Sequence, residues 1–338
     1  MENSYANSTN QVATLTEEEA TRYDRQMRLW GIDAQQRMRN ATILVANLQG
    51  VATEAIKNMV LAGIGKLIII DEKNVSEEDL GAGFFFRDED VGKKRLEAAK
   101  SRIESLNPLV TVETITNISV REDALEALVS SVDLVCTTDL DRNTMLRING
   151  LCRTYHKPFY AGGSYGLAGY IFCDLISHDH LVPDRTAPKD QPKSIKTTAA
   201  YPPLESAIQF KWTALTKRQT KEVNPALFFG IMGLWEYQSV HRTLPTDITQ
   251  ASELESLSNS LISSANVNKQ VLTLAPRELI EALATTSVYE FSPVCAILGG
   301  ILGQDILKTL GGREPPIANF FVFDGTTGGG TVCRLNMS

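Results

Sequence analysis

The clearest pattern of apolar and polar positions in this chain lies between residues 41 and 71. A short apolar run at 43–46 leads into a polar turn, and a second run at 67–70 ends at Asp71. Between them, apolar residues recur at the spacing of a helix that buries one face: Ala52, Ala55, Ile56, Met59 and Val60. The pattern predicts a strand–helix–strand unit of the kind that builds parallel sheets.

Similar alternation continues along the chain. The pattern predicts a helix from a Thr16–Glu19 capping box to Trp30 that ends at Gly31, and further helices at 91–105, 123–130 and 144–155. It predicts strands at 111–115, 132–137, 159–160 and 320–323. Residues 204–283 are mainly helical, and an apolar helix follows Pro293 that we expect to be buried on every side. The fold class predicted is therefore α/β and Rossmann-like, with a mostly parallel sheet and a smaller helical insertion.

The same pattern suggests a division of the chain into four parts. Residues 1–13 are polar and are expected to be disordered, and 14–176 form the first part of the Rossmann-like domain. Residues 177–285 read as a linker, proline-rich at 183–203, and then the helical insertion. Residues 286–338 complete the first domain.

The turn after the first strand has lost most of a nucleotide site. In a G-x-G-x-x-G pattern, glycines let phosphate approach backbone N–H groups at the start of the helix. Here Asn47 and Ala52 replace the first and third glycines, and Gly50 alone remains. Asp71, at the end of the second strand, is the type of residue that holds a ribose hydroxyl. The sequence thus predicts the shape of a nucleotide site with a degenerate phosphate cradle.

Composition narrows the functional class. The chain has 338 residues and a formal net charge of −7, which argues against nucleic-acid binding and against an anionic membrane surface. We expect a soluble, intracellular protein, because no apolar run reaches the length of a membrane span and the first forty residues do not resemble a signal peptide. The five scattered cysteines predict neither a zinc site nor disulfides, and Cys136 and Cys173 are expected to be buried.

Several motifs resemble the activating enzymes of ubiquitin-like modifiers and their bacterial sulfur-carrier relatives, which share the ThiF/MoeB-type adenylation fold. They are YDRQMRLWG at 23–31, the strand–helix–strand unit continued to 75, VGKKR at 91–95, LNPLVTVE at 106–113, YGLAGYIFCDL at 165–175 and 291–325. The length, the degenerate glycines and the lack of any cysteine between Cys173 and Cys295 are most similar to the smaller, non-catalytic subunits of SUMO-activating heterodimers.

That resemblance implies a division of labour between two subunits. A catalytic SUMO-activating partner would bind ATP and Mg²⁺, adenylate the C-terminus of SUMO and accept it on a cysteine, while the isolated chain would be inactive. Arg25, in the YDRQ motif, would reach in trans to the phosphate of the partner's ATP, with Arg28 as a weaker candidate. The resemblance also implies residence in the nucleus and, in part, in the cytoplasm.

The chain's own cleft is not expected to bind ATP productively. Where active relatives carry an Asn, an Arg and a Gln, this chain has Asp79, Ala82 and Gly83. Arg95 would replace a lysine of the family. Asp141 corresponds most closely to an Mg²⁺-binding aspartate, although a helix N-cap is an equal interpretation. The degenerate site therefore comprises Asn47, Gly50, Ala52, Asp71, Arg95 and Asp141, and we predict no cofactor or metal in this chain.

Three alternatives remain open from the residues. The first is the equivalent subunit of the cullin-modifier activating enzyme, which carries a longer helical insertion. The second is a homodimeric adenylating enzyme of the MoeB/ThiF type, which the residues at 47, 52, 82 and 83 disfavour. The third is an NAD(P)-dependent oxidoreductase on the same strand–helix–strand unit, which the broken glycine pattern disfavours.

Overall fold

The computed structural model describes residues 16–116, 122–184 and 194–337. The predicted disordered segment, 1–13, therefore lies outside the described residues. The helices are α1 to α13, in order Glu17–Arg22, Asp24–Trp30, Ile32–Asn40, Gly50–Ala62, Arg95–Leu106, Glu122–Ser131, Arg142–Thr154, Leu204–Ile208, Lys217–Glu222, Pro225–His241, Ala251–Ser264, Arg277–Thr286 and Ser292–Gly311. The strands are β1 to β10, in order Thr42–Ala46, Lys66–Ile70, Thr111–Ile115, Leu134–Thr138, Phe159–Tyr165, Ala168–Asp174, Ser177–Pro183, Ser194–Ala200, Phe320–Asp324 and Gly329–Cys333.

An eight-stranded sheet organises the described part of the chain. Its strand order is β10-β9-β6-β5-β4-β1-β2-β3. The five strands from β5 to β3 pair in parallel, and β6, β9 and β10 pair antiparallel. The predicted α/β class with a mostly parallel sheet is confirmed, including the unit β1–α4–β2, in which Ile43 pairs with Leu67. The strand β10 had no counterpart in the sequence prediction.

The N-terminal helix differs from its prediction in one respect. The capping box between Thr16 and Glu19 is present, and Gly31 ends the helical segment with a φ of 83°. The helix is interrupted at Tyr23, however, giving α1 and α2 instead of one helix. The buried Tyr23 hydroxyl accepts a hydrogen bond of 2.8 Å from Asn107, so this ring is fixed against the strand–helix–strand unit. Met27 and Trp30 are only half-buried.

Helix α13 packs closely along α4. An added Cβ at Gly299 would lie 2.4 Å from Glu54 Cβ and 2.7 Å from the Val51 carbonyl oxygen, so glycine is required for this approach. The sequence analysis expected this helix to be buried on every side, and that expectation was wrong. Ile297 is 42% exposed, and Gly300 faces open space. An apolar stripe on α13 therefore remains uncovered by the described residues.

Helix α13 is also long and apolar enough, by length and composition alone, to cross a membrane, with a mean hydropathy of 1.3. The uninterrupted apolar run is shorter than this helix, because Gln304, Asp305 and Lys308 lie within the helix. In the structure 61% of that window is buried against other elements of the fold, as is usual for the central helix of a packed domain.

Two neighbouring glycines of α13 give a matched test of this packing. We expect Gly299→Ala to destabilise the chain by about 1–3 kcal/mol, because the methyl group overpacks the contact with α4. Gly300→Ala should instead stabilise it by about 0.5–1 kcal/mol, since it restores helix propensity in open space. Urea unfolding of the two variants measures both effects. Equal shifts of the same sign would show that α13 and α4 are not in close contact.

The region after β6 is only partly a linker. Strands β7 and β8 form a separate antiparallel hairpin, so the proline-rich stretch predicted as linker or loop contains a strand. Helices α8 to α12 follow and form a second apolar cluster with one side of the sheet. Phe228, Phe229 and Trp235 are buried in it and form part of its core.

Candidate functional site

In an open parallel sheet, a crevice forms at the carboxyl ends of the strands where the strand order reverses. Here that point is at β1, which has β2 on one side and β4 on the other. Connections leave these strands in opposite directions here, and ligands of such sheets bind at the carboxyl ends of the strands. A cavity of about 300 Å³ opens at this point. Its polar lining includes Gln49, Lys73, Asp139, Ser164 and Glu290.

Side-chain contacts fill the turn between β1 and α4. Asn47 has a φ of 72°, and its amide donates hydrogen bonds of 2.8 Å to the Thr138 carbonyl and 2.7 Å to Gln49 Oε1. Even a Cβ at Gly50 would come within 3.0 Å of Cys295 Sγ. Ala52 is completely buried inside α4. The residues that replace the family's glycines therefore fill the turn and tie it to β4.

A carboxylate already occupies the start of α4. The Gly50 N–H donates a 2.8 Å hydrogen bond to Glu290 Oε1, at the position where a helix N-terminus would otherwise offer its donor to an anion. Burial raises the pKa of Glu290, and the Gly50 hydrogen bond counteracts part of that rise. Glu290 was not identified from the sequence, because it is 240 residues from Gly50 and precedes an ordinary helix.

Two aspartates and one arginine form a closed ion cluster beside the turn. Arg95 binds Asp79 with both ends of its guanidinium, at 2.9 Å from Nε and 2.6 Å from Nη2. Its Nη1 lies 3.5 Å from Asp71 Oδ2. Asp71 also accepts backbone N–H bonds of 2.7 Å from Leu48 and Lys73. All three charged side chains are at most 6% exposed, and Arg95 Nη1 makes no hydrogen bond within the described residues.

The structure separates the two aspartates that follow β4. Asp141 is the N-cap of α7, where it accepts from the N–H groups of Asn143 and Thr144 at 3.0 and 3.1 Å. Asp139, directly after the strand, instead lines the crevice and accepts from the Ser164 N–H at 2.9 Å. Its Oδ2 is buried without a hydrogen-bond partner among the described residues, and burial together with nearby Glu290 raises its pKa well above the usual range. Asp139 was not among the predicted site residues, and its place directly after β4 is the sequence signal that could have identified it.

The arginines of the YDRQ motif lie outside this cleft, on α2. Arg25 is exposed, and no hydrogen bond or ion pair to it occurs within the part of the chain that the structure describes. Arg28 is exposed but binds Asp24 at 2.8 Å. One turn after Arg25, Leu29 is 81% exposed. The Gln26 amide donates to the Leu61 carbonyl at 3.3 Å, which places α2 beside the end of α4, where Leu61 is 45% exposed.

The profile of the ThiF family matches residues 23–338. The chain belongs to the ThiF family. Among its relatives, this ThiF chain is 32% identical to SUMO-activating enzyme subunit 1 of Xenopus tropicalis, covering 95% of this chain and 96% of the relative. It is 31% identical to the human subunit 1, with coverage of 94% and 95%, and 32% identical to that of Dictyostelium discoideum, with 94% of each chain. It is therefore a homologue of SUMO-activating enzyme subunit 1.

Solved structures support the same fold for this ThiF chain. The crystal structure of selenomethionine PaaA superposes with a TM-score of 0.60 and 16% identity, covering 98% of this chain and 77% of PaaA. At that identity the likeness concerns the fold alone.

Proposed function

We propose that this chain is the non-catalytic subunit of a heterodimeric SUMO-activating enzyme. With a catalytic partner it supports the ATP-dependent adenylation of the SUMO C-terminus and its transfer to a cysteine of the partner. The observation that carries the proposal is the hydrogen bond from the Gly50 N–H to Glu290. At this turn, related enzymes would bind phosphate with backbone N–H groups, and here the chain's own carboxylate takes that donor. Relatives named for SUMO, matched over nearly their whole length, favour this modifier over that of cullins. The enzyme is expected in the nucleus and, in part, in the cytoplasm.

The residues present do not fit Mg·ATP in this chain. A triphosphate needs backbone donors and cations, but the carboxylates of Asp79, Asp139 and Glu290 surround the turn. Among the described residues Arg95 is the one buried arginine or lysine, and it already binds two aspartates. The Gly50 donor is already taken by Glu290, and the side chain at Asn47 and the close packing at Gly50 remove the space.

Thioester formation is likewise assigned to the partner. All five cysteines of the chain are buried. Burial raises the pKa of the Cys136, Cys152 and Cys333 thiols to about 12, and it also raises those of Cys173 and Cys295. A buried thiol with a raised pKa offers little thiolate and no access to a protein C-terminus.

Arg25 is the group that this chain contributes to the chemistry. It extends from a surface that also carries the exposed apolar residues Leu29 and Leu61, and the uncovered stripe of α13 contains Ile297. Exposed apolar side chains of this size are typical of protein interfaces. A guanidinium without an internal partner, next to such a surface, suits a donor to the phosphate of a nucleotide bound across the interface.

Nucleotide binding distinguishes this proposal from the homodimeric and oxidoreductase alternatives. By calorimetry with Mg·ATP, we expect no binding to the isolated chain and one ATP per heterodimer. NAD should bind to neither. The catalytic partner alone is the control for the site itself. Saturable binding of ATP or NAD to the isolated chain would contradict the proposal and favour one of the alternatives.

A further inference from the structure

Helix α2, which carries Arg25, is too short to hold its own position. It has seven residues, and within the described part of the chain none of them is buried and no side chain caps its N-terminus. Isolated helices shorter than about 12 residues are marginal in water, because forming the first turn fixes several residues for one hydrogen bond. The direction of this helix therefore depends on contacts at its two ends.

The start of α2 is bound to the C-terminal turn of α4, whose last carbonyls have no partner within their own helix. The Tyr23 ring packs against Gly63, the C-cap of α4, where an added Cβ would lie 2.4 Å from Tyr23 Cζ. The buried Asn107 amide donates a hydrogen bond of 2.8 Å to the Tyr23 hydroxyl and one of 2.9 Å to the Val60 carbonyl. One amide side chain thus joins the residue before α2 to the end of α4.

A second amide, that of Gln35 on α3, holds the other end of α2. Gln35 is completely buried, and its Nε2 donates a 2.8 Å hydrogen bond to the carbonyl of Ala62, the last residue of α4. Its Oε1 accepts a 3.0 Å hydrogen bond from the indole N–H of Trp30, the last residue of α2. The indole can only donate and the carbonyl can only accept, so both partners agree on the orientation of the amide. A hydrocarbon side chain at position 35 would break both bonds at once.

We propose that Gln35 is a positioning residue for Arg25. By joining Trp30 to α4 it fixes α2, and the fixed helix directs the Arg25 guanidinium toward the phosphate of ATP bound by the partner. This inference rests on the proposed function, because it takes Arg25 as the donor in trans. A misplacement of about 1 Å can cost about 10²-fold in rate, so a loosened α2 weakens the effect of Arg25 while its charge remains.

Hydrogen exchange of the full-length chain without a partner tests whether Gln35 fixes α2. In Gln35→Leu we expect the backbone amides of Asp24–Trp30 to exchange about tenfold faster, because local opening of the helix becomes easier. Trp30→Phe keeps an aromatic ring and removes only the donor to Gln35, so it should change exchange in the same direction with less risk to folding. Unchanged exchange at Asp24–Trp30 in both variants would overturn the proposal, whatever the activity of the heterodimer.

The matched control is another buried amide, Asn149 on α7, whose apolar neighbours on that helix belong to the second apolar cluster. Asn149 donates to Asp174 Oδ2 at 2.8 Å and accepts from the Leu204 N–H at 2.9 Å. Asn149→Leu therefore also removes two hydrogen bonds of one buried amide. It should leave exchange at Asp24–Trp30 unchanged, because none of these bonds involves α2.

A double-mutant cycle on ATP–pyrophosphate exchange tests the link between Gln35 and Arg25. Rates are measured per assembled heterodimer at saturating ATP and SUMO, so that a loss of assembly does not count as a loss of rate. Gln35→Leu and Trp30→Phe should each slow exchange about tenfold when Arg25 is present. When Arg25 is already alanine, each should slow it by no more than about twofold, because residues that act through one group are not additive. Asn149→Leu should leave the rate unchanged in both backgrounds.

The outcomes distinguish the positioning role from the proposed function. Slowing by the same factor with and without Arg25 would show that Gln35 acts through general stability, and it would overturn the proposal. A wild-type rate in Gln35→Leu, together with a slow Arg25→Ala enzyme, would overturn the positioning role alone. A normal rate in Arg25→Ala would remove the donor role of Arg25 from the proposed function, and the positioning role with it.

Discussion

Replacing Arg25 by alanine in the heterodimer is expected to slow ATP–pyrophosphate exchange about 10³-fold, the range in which arginines supplied in trans act on phosphoryl chemistry. The physical reason is the loss of a fixed positive charge at the phosphates of ATP bound by the partner. Folding should not change, because Arg25 is exposed and makes no hydrogen bond or ion pair within the described residues. Exchange is measured with SUMO at saturation and with equal amounts of purified heterodimer.

Arg28→Ala is the matched control for this prediction. It lies three residues later on the same helix and is also exposed, but its guanidinium already binds Asp24. We expect it to lower the exchange rate much less than the Arg25 variant does. A normal rate with Arg25→Ala, in a heterodimer that assembles and melts like the wild type, would remove the assignment of Arg25. Equal losses in both variants would show that the surface matters only for assembly.

Removing the buried guanidinium of Arg95 is expected to have the largest effect on stability. Arg95→Met leaves Asp71 and Asp79 buried without their cation, and breaking such a pair from one side costs about 3–5 kcal/mol. Urea unfolding of the full-length chain measures the loss. The double variant Arg95→Met with Asp79→Asn should recover a large part of the lost stability. The second substitution removes the buried negative charge of Asp79, which the first substitution leaves without its cation.

The control for Arg95 is an arginine whose ion pair is exposed. Arg218 binds Glu222 at 2.7 Å on α9, with its side chain 88% exposed. Arg218→Met should leave the urea midpoint close to that of the wild type, because solvent screens an exposed ion pair. If the Arg95 and Arg218 variants unfold at the same urea concentration, the Asp71–Arg95–Asp79 cluster is not a buried structural unit. Ion pairing between Arg95 and the two aspartates would then not explain why the cleft is occupied by the chain's own side chains.

Local sequence patterns were sufficient to predict most of the helices and strands. The strand–helix–strand unit, the capping box at Thr16 and the end of the helix at Gly31 follow from residues within a few positions of each other. The interruption at Tyr23 was not predicted, because it depends on a hydrogen bond to Asn107, 84 residues away. The strand at Ser194–Ala200 was missed for a similar reason. Its proline- and lysine-rich surroundings resemble a loop, and only pairing with Ser177–Pro183 makes it a strand.

The residues of the proposed site came partly from local pattern and partly from the fold. The replacement of glycines in the turn at 47–52 is visible in the sequence because a glycine pattern is local. Asp141 was named from the family resemblance with a helix N-cap as an equal interpretation, and the structure shows it as the N-cap of α7, whereas Asp139 faces the crevice. The roles of Arg95 and Glu290 depended on partners that the sequence does not bring together.

By itself the sequence determined the α/β class, the replacement of glycines in the turn after β1 and the presence of Arg25 in the YDRQ motif, because each rests on short-range pattern or motif. Only the tertiary structure decided what fills the cleft and what remains exposed. Glu290 reaches Gly50, and Arg95 closes on two aspartates, through contacts between distant segments. The exposure of Arg25 and of the α13 stripe depends on which neighbours cover each helix, and a one-dimensional pattern of apolar positions carries no such information.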